Sequence, residues 1–408
     1  MNGVLVIDKP VGPTSHDIVA QVRRAAAERR VGHAGTLDPL ASGVLLLCLG
    51  EATKLVPFLM GADKEYRATL RLGVTTDTDD ADPAAQILGR AAPAQLAALT
   101  AAQLHDALQA CVGLVQQRPP AFSALKVQGQ RLHERARALR DAGSAAAEAA
   151  DALETADAAE ESPEQADLQD ALQGKTRAVH IYEIRVEALR LPAEPGALPE
   201  VDFWVRCGKG TYIRAIARDV GERLGVGGHL CALRRLRVGR FTLDQATPLL
   251  PPEQPPVEPP STASAPPAAT SAPPGRPRRP PRRPRERLGS PLRLFREAEA
   301  LQHLPALTLD AATADRVRQG HVPTLDALLP QALLLPGWPG AAAVAPETPA
   351  PEASAALLDE GGCLAAVVVL QEGRLRIGRG FSRPSPGGAS TTSELTPPPV
   401  GRKTTPQD

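Results

Sequence analysis

The 408-residue chain is 43% hydrophobic, enough to bury more than one core, and this excludes disorder along its full length. Its 46 Lys and Arg offset 46 Asp and Glu, so net charge alone points to no anionic partner. The neutrality is a sum of opposed blocks, with acid concentrated at 136–174 and base at 175–290.

Taken in chain order, an alternating run at 4–8 predicts a strand that ends at Asp8-Lys9-Pro10. Thr14-Ser15 then caps a helix whose Ile18, Val19, Val22 and Ala26 share one face. A glycine-rich loop, Gly32–Gly43, leads into an apolar strand at Val44–Leu49. Residues 65–72 alternate as a strand, 94–110 suit helices, and 122–127 read as a strand. Further on, 178–191 and 201–207 read as strands, 211–224 as a helix and 229–238 as a strand. Strands and helices mix without a strict βαβ rhythm, so the fold class expected is α+β with a mixed, largely antiparallel sheet. Near the C-terminus, Cys363–Leu370 and Arg374–Gly380 predict a hairpin around Gln371-Glu372-Gly373.

Composition divides the chain. Residues 248–290 hold fifteen prolines and seven arginines in forty-three positions, a linker composition that favours extended chain. Residues 136–174 are mostly Ala, Asp and Glu, with little to bury, and read as an insertion. Pro336–Ser354 and a disordered tail at 383–408 are likewise rich in Pro, Ala, Gly and Ser. The expected organisation is a body at 1–247 carrying the insertion, the linker, and a smaller unit at 291–382 tied to the body by few contacts.

No basic, apolar leader follows Met1 and no uncharged apolar stretch reaches about 18 residues, so an unexported cytoplasmic protein without membrane spans is expected. Five cysteines without a C-x-x-C pattern suit a reducing compartment. His229 and Cys231 form a metal-like pair, but no third ligand lies near them in sequence, and no metal site is expected.

The Gly32–Gly43 loop carries one carboxylate, Asp38, on a tight backbone path before Pro39. Taken alone, an Asp before Pro is turn chemistry. Neither a phosphate-binding G-x-x-x-x-G-K-[ST] nor a dinucleotide-binding G-x-G-x-x-G fits, so no nucleotide cofactor is indicated.

Several segments in order resemble the bacterial tRNA pseudouridine synthases of the TruB type. They are Gly3–Pro10, Thr14-Ser15-His16, Gly32–Leu45, Gly50–Lys54, Asp63–Arg67, Leu72-Gly73, Thr76–Asp80, Pro119–Lys126, Gly208–Arg214 and Leu233–Leu236. The ordered set covers essentially the whole body and leaves the insertion, the linker and the C-terminal unit unaccounted for. The resemblance implies that Asp38 is the nucleophile of a cofactor-free conversion of uridine to pseudouridine at position 55 in the tRNA T-arm loop. It implies that Arg214 holds that carboxylate charged and oriented. Tyr66 would stack on the flipped uracil and handle a proton near C5, Tyr212 and Leu233 would line the pocket, and His33 would enter the RNA stack as the base leaves. Basic side chains should flank the pocket to meet phosphates, with Lys9, Arg23, Arg24, Lys54, Lys64, Lys126, Lys209, Arg234 and Arg235 as candidates. The C-terminal unit stands where the family carries a PUA-like β-barrel. A monomer with no obligate protein partner is expected. Two rival readings remain, a guide-RNA-dependent ribosomal RNA synthase and a non-catalytic tRNA-binding and folding factor. A start directly on the Gly3–Pro10 motif, without a basic arm, favours the standalone enzyme.

Overall fold

The structure, a computed structural model, describes residues 1–123, 125–127, 130–132, 134–140, 172–191, 197–250, 287–288, 293–323, 353–371 and 374–382. The bulk of the acidic insertion, most of the proline-rich linker, the Pro336–Ser354 stretch apart from its end, and the tail lie outside the described residues.

One twelve-stranded sheet organises the body. Its main path runs Arg287–Leu288, Thr247–Leu250, Gly3–Lys9, Ala41–Leu49, Gly228–Val238, Lys64–Leu72, Glu200–Cys207, Arg177–Arg190 and Gly113–Gln117. Neighbours are antiparallel except at two joins, where Gly3–Lys9 meets Thr247–Leu250 and where Ala41–Leu49 meets Gly228–Val238. The mixed, largely antiparallel α+β expectation therefore describes the body. At the second join Leu233, Arg234 and Arg235 stand opposite Ala41, Ser42 and Gly43. A Cβ on Gly43, whose φ is +103°, would lie 2.1 Å from the Arg235 carbonyl oxygen, so only glycine lets the two halves of the sheet close here.

One face of the sheet is covered by the helices Ser15–Ala25, Ala101–Gln109 and Ile213–Arg223, which bury Ile18, Val22, Leu104, Leu108, Ile216 and Val220 against Leu45, Leu70 and Phe203. The first of these helices starts as its capping residues dictate: the Thr14 hydroxyl accepts from the Asp17 N–H at 3.1 Å, and the Asp17 carboxylate accepts from the Thr14 N–H at 2.9 Å. The expected strand at 122–127 is reduced to Lys126–Val127, which pairs with Gln130–Arg131 and not with the main sheet.

The C-terminal residues correct the picture of two loosely joined units. Leu294–Phe295 pairs with Gly3–Lys9 and so belongs to the body's sheet. Phe295, Leu301, Ala356, Leu364, Val367 and Phe381 share one buried cluster with Val4, Val6, Leu46, Leu55 and Leu59 of the body. The Lys54 ammonium donates to the Gly380 carbonyl at 3.0 Å and lies 5.5 Å from the centre of the Phe381 ring. The small sheet itself is four-stranded and open, in the order Ala306–Leu309, Ala353–Asp359, Leu364–Gln371, Arg374–Gly380, with the first pair parallel. The described residues thus do not close into the β-barrel expected there. No helix among the described residues is long and apolar enough to cross a membrane.

Candidate active site

Asp38 sits in the loop just before the strand Ala41–Leu49, and three buried groups hold that loop from below. The Ser15 hydroxyl accepts from the Leu37 N–H at 2.8 Å and donates to the Leu37 carbonyl at 2.9 Å. Arg235, 1% exposed, donates to the carbonyls of Gly35, Thr36 and Val44 at 3.1, 3.3 and 2.6 Å. The Leu37 side chain is buried in the main core. With its neighbours fixed on both sides, Asp38 presents a side chain that keeps 37% of its surface open.

Arg214 meets it from the first turn of the helix Ile213–Arg223, with Nε 3.0 Å from Asp38 Oδ2. Arg214 is only 5% exposed, and both Nη atoms of its guanidinium have partners. One Nη donates to the Thr78 carbonyl at 2.8 Å and lies 3.7 Å from Asp80 Oδ2, and the other donates to the Phe122 carbonyl at 3.0 Å. Burial pulls against the charge, but Asp38, Asp80 and Asp79 outweigh it and raise the Arg214 pKa. One turn further along the helix, Arg218 pairs with Asp79 at 3.0 Å and donates to the Arg118 carbonyl at 2.9 Å. Burial pushes Asp79 up to about 6 against the pull of Arg218.

Tyr66 stands opposite Arg235 across the sheet, buried in one cluster with Leu37, Leu233 and Ile213. Burial raises its phenol pKa, the positive charge of Arg235 opposes the rise, and the charge of Asp38 adds to it. Tyr212 is the N-cap of the helix that carries Arg214, and the Arg177 guanidinium lies 5.1 Å from its ring centre. His33 ends the strand Val31–His33, edge-on to the His16 ring at 5.3 Å. Burial, then His16 and Arg235, lower its pKa, and its Nδ1 finds no hydrogen-bond partner among the described residues. Ion pairing thus joins Asp38, Arg214 and Asp80, with Tyr212 capping the helix that carries Arg214. His33 enters from the opposite end of the loop.

The phosphate-facing set needs correction. Lys9, fully buried, donates to the carbonyls of Pro10 and Pro13, and Lys64 donates to those of Met60 and Ala62. Arg235 braces the Asp38 loop. A basic side chain whose charged end is spent on buried carbonyls cannot reach a phosphate, so these three are structural cations. Lys54 pairs with Glu51 and with the C-terminal strand. Arg234 is partly exposed and pairs with Asp8 at 2.8 Å. Lys209, Arg23 and Arg24 are exposed, while the Lys126 side chain lies outside the described residues.

Sequence reasoning missed the placement of Asp79, Asp80, Arg218, Ser15 and Gln117. For Asp79 and Asp80 the signal was the Thr76–Asp80 run: alternating hydroxyls and carboxylates predict a tight hydrogen-bonded turn, but not which cation it would face.

Comparison with known proteins gives the family. Residues 23–150 match the model of the TruB family pseudouridylate synthase N-terminal domain, and residues 214–249 that of the tRNA pseudouridylate synthase B C-terminal domain. The tRNA pseudouridine synthase B of Thermobifida fusca is 44% identical over 249 residues, which cover 61% of this chain and 73% of the relative. That of Arthrobacter sp. (strain FB24) is 43% identical, covering 61% and 70%. Among solved structures, a Cbf5-Nop10-Gar1 complex matches with a TM-score of 0.50 at 20% identity over 92% of this chain and 82% of the other, a likeness of fold. The class is that of the pseudouridylate synthases. Within it, the chain belongs to the TruB family.

Proposed function

We propose that this protein isomerises uridine to pseudouridine in tRNA, at position 55 of the T-arm loop, with Asp38 as nucleophile. The observation that carries the reading is the 3.0 Å contact between a partly open Asp38 carboxylate and a buried Arg214. The Asp38 carboxylate bonds to C1′ of the ribose or to C6 of the base, the N1–C1′ bond breaks, the uracil turns so that C5 bonds to C1′, and the bond to Asp38 breaks to return the free carboxylate. C5 then loses its proton and N1 gains one, so atoms balance without a redox partner or group donor. Arg214 keeps the carboxylate charged and aimed, and because its guanidinium is anchored on two carbonyls and on Asp80 it does so without reorganising. Tyr66 offers its ring to the flipped base and sets its hydroxyl near C5, whose proton leaves to water. Leu233 and Tyr212 close the walls, and His33 takes the place the base leaves.

The test is Asp38→Asn, incubated with an unmodified tRNA transcript and mapped base by base for pseudouridine. The amide keeps the shape but not the nucleophile, so product disappears while tRNA binding stays within about threefold. Turnover by the variant near that of the unaltered protein would remove the mechanism. Binding without any product from the unaltered protein would instead favour the non-catalytic folding factor.

A further inference from the structure

The segment 117–122 is joined to the helix Ile213–Arg223 and its N-cap at four points. The carbonyls of Arg118 and Phe122 accept from the long side chains of Arg218 and Arg214, and the Arg118 guanidinium pairs with Glu222 at 3.2 Å. The fourth link differs in kind, because it grips the helix's backbone. Gln117, 2% exposed, accepts the Tyr212 N–H on Oε1 at 2.8 Å and donates from Nε2 to the Tyr212 carbonyl at 3.0 Å. A side-chain amide pairing with both polar groups of one residue reproduces a rung of a β-ladder, fixing distance and orientation together. Tyr212 is the N-cap, and no side chain of its own caps the helix. Among the described residues its carbonyl otherwise receives only a 3.4 Å bond from the Ile216 N–H.

The consequence reaches the reacting groups. A helix moves as a rigid body over its first turn, so a shift of the N-cap is carried to Arg214 two residues on. Displacing that guanidinium by about 1 Å breaks a 3.0 Å contact with Asp38, and errors of that size cost on the order of 100-fold in rate.

We propose that Gln117 is a positioning residue for the isomerisation: its two-point grip on Tyr212 sets the distance between Arg214 and Asp38. The proposal rests on the functional reading above. It is tested with Gln117→Ala, which removes both bonds, and Gln117→Glu, which keeps the shape and the acceptor but sets a carboxylate oxygen against the Tyr212 carbonyl. Single-turnover and steady-state rates on tRNA are measured for each, alone and combined with Arg214→Lys, together with melting temperature. Expected for both variants is a kcat lower by about 10- to 100-fold, with KM within about threefold of the unaltered protein. In the Arg214→Lys background the further loss should shrink to about twofold or less, since the contact being positioned is already gone. If Gln117→Ala melts below the assay temperature, the same criteria apply to Gln117→Glu. Equal losses in both backgrounds, or a kcat within about twofold for the folded variant, overturn the proposal. An inactive unaltered protein overturns the functional reading instead.

Discussion

Replacing Arg214 by lysine keeps the charge and removes the fork. The guanidinium serves Asp38 at 3.0 Å, the Thr78 and Phe122 carbonyls at 2.8 and 3.0 Å, and Asp80 at 3.7 Å, in directions one ammonium cannot span. A lysine that stays with Thr78 and Asp80 abandons Asp38 and Phe122. Hydrogen bonds to charged groups contribute roughly 1.5–3 kcal/mol each. Asp38 is open enough for water to take over one of the two lost, so the net cost to stability is about 1.5–3 kcal/mol. The melting temperature should then fall by roughly 3–12 °C at ~2–4 °C per kcal/mol. The cost to catalysis should be larger, since the lost bond orients the nucleophile: kcat should drop on the order of 100- to 1000-fold. KM should change little, because a side chain this deeply buried beneath Asp38 does not meet the RNA backbone. The assay follows from the bond changes. Isomerisation replaces C5–H by C5–C1′, so tRNA tritiated at uridine C5 releases label to water as product forms. A lysine variant whose kcat stays within about threefold of the unaltered protein, at an unchanged melting temperature, would refute this account of Arg214.

Lys64 gives a prediction in pH. Burial lowers its pKa from 10.5 to about 8, so between those values the folded state binds fewer protons than the unfolded one and stability rises with pH across that window. Below about pH 8 the buried charge costs in full, roughly 3 kcal/mol. The advantage of Lys64→Met over the unaltered protein should therefore narrow from about pH 8 to about pH 10, and a constant difference between their melting temperatures would contradict it. A chain ended at Leu250 keeps every proposed pocket residue, yet it strips Phe295, Val367 and Phe381 from the cluster over Val4, Val6 and Leu46. It should melt at least about 10 °C lower or collect in the insoluble fraction; a soluble fragment with unchanged melting temperature and turnover would show that the shared core is not needed.

The strand Gly3–Lys9, the helix at 15–25 with its Thr14 cap, and the alternating strands around Tyr66 and Phe203 were all legible in the sequence. Their signals, periodicity and capping, act between residues a few positions apart. The Asp38 loop, Tyr66 and Arg214 could be named as well, because ordered motifs carry a family's chemistry even where spacing alone reads as turn or surface. The partners of those residues could not be read. Asp80 and Arg214 are separated by 134 positions, Gln117 and Tyr212 by 95, and a carboxylate or amide has no local pattern that says which distant group it will face. The same gap misled the reading of charge. Lys9, Lys64 and Arg235 are indistinguishable by sequence from surface cations, and only the folded chain, which closes backbone carbonyls around them, turns them into buried braces. The proline-rich stretch before residue 291 also described only itself. Whether the residues beyond it share a core with the body is decided by apolar side chains meeting across the sheet, at Phe381 and Phe295 on one side and Val4 and Leu46 on the other.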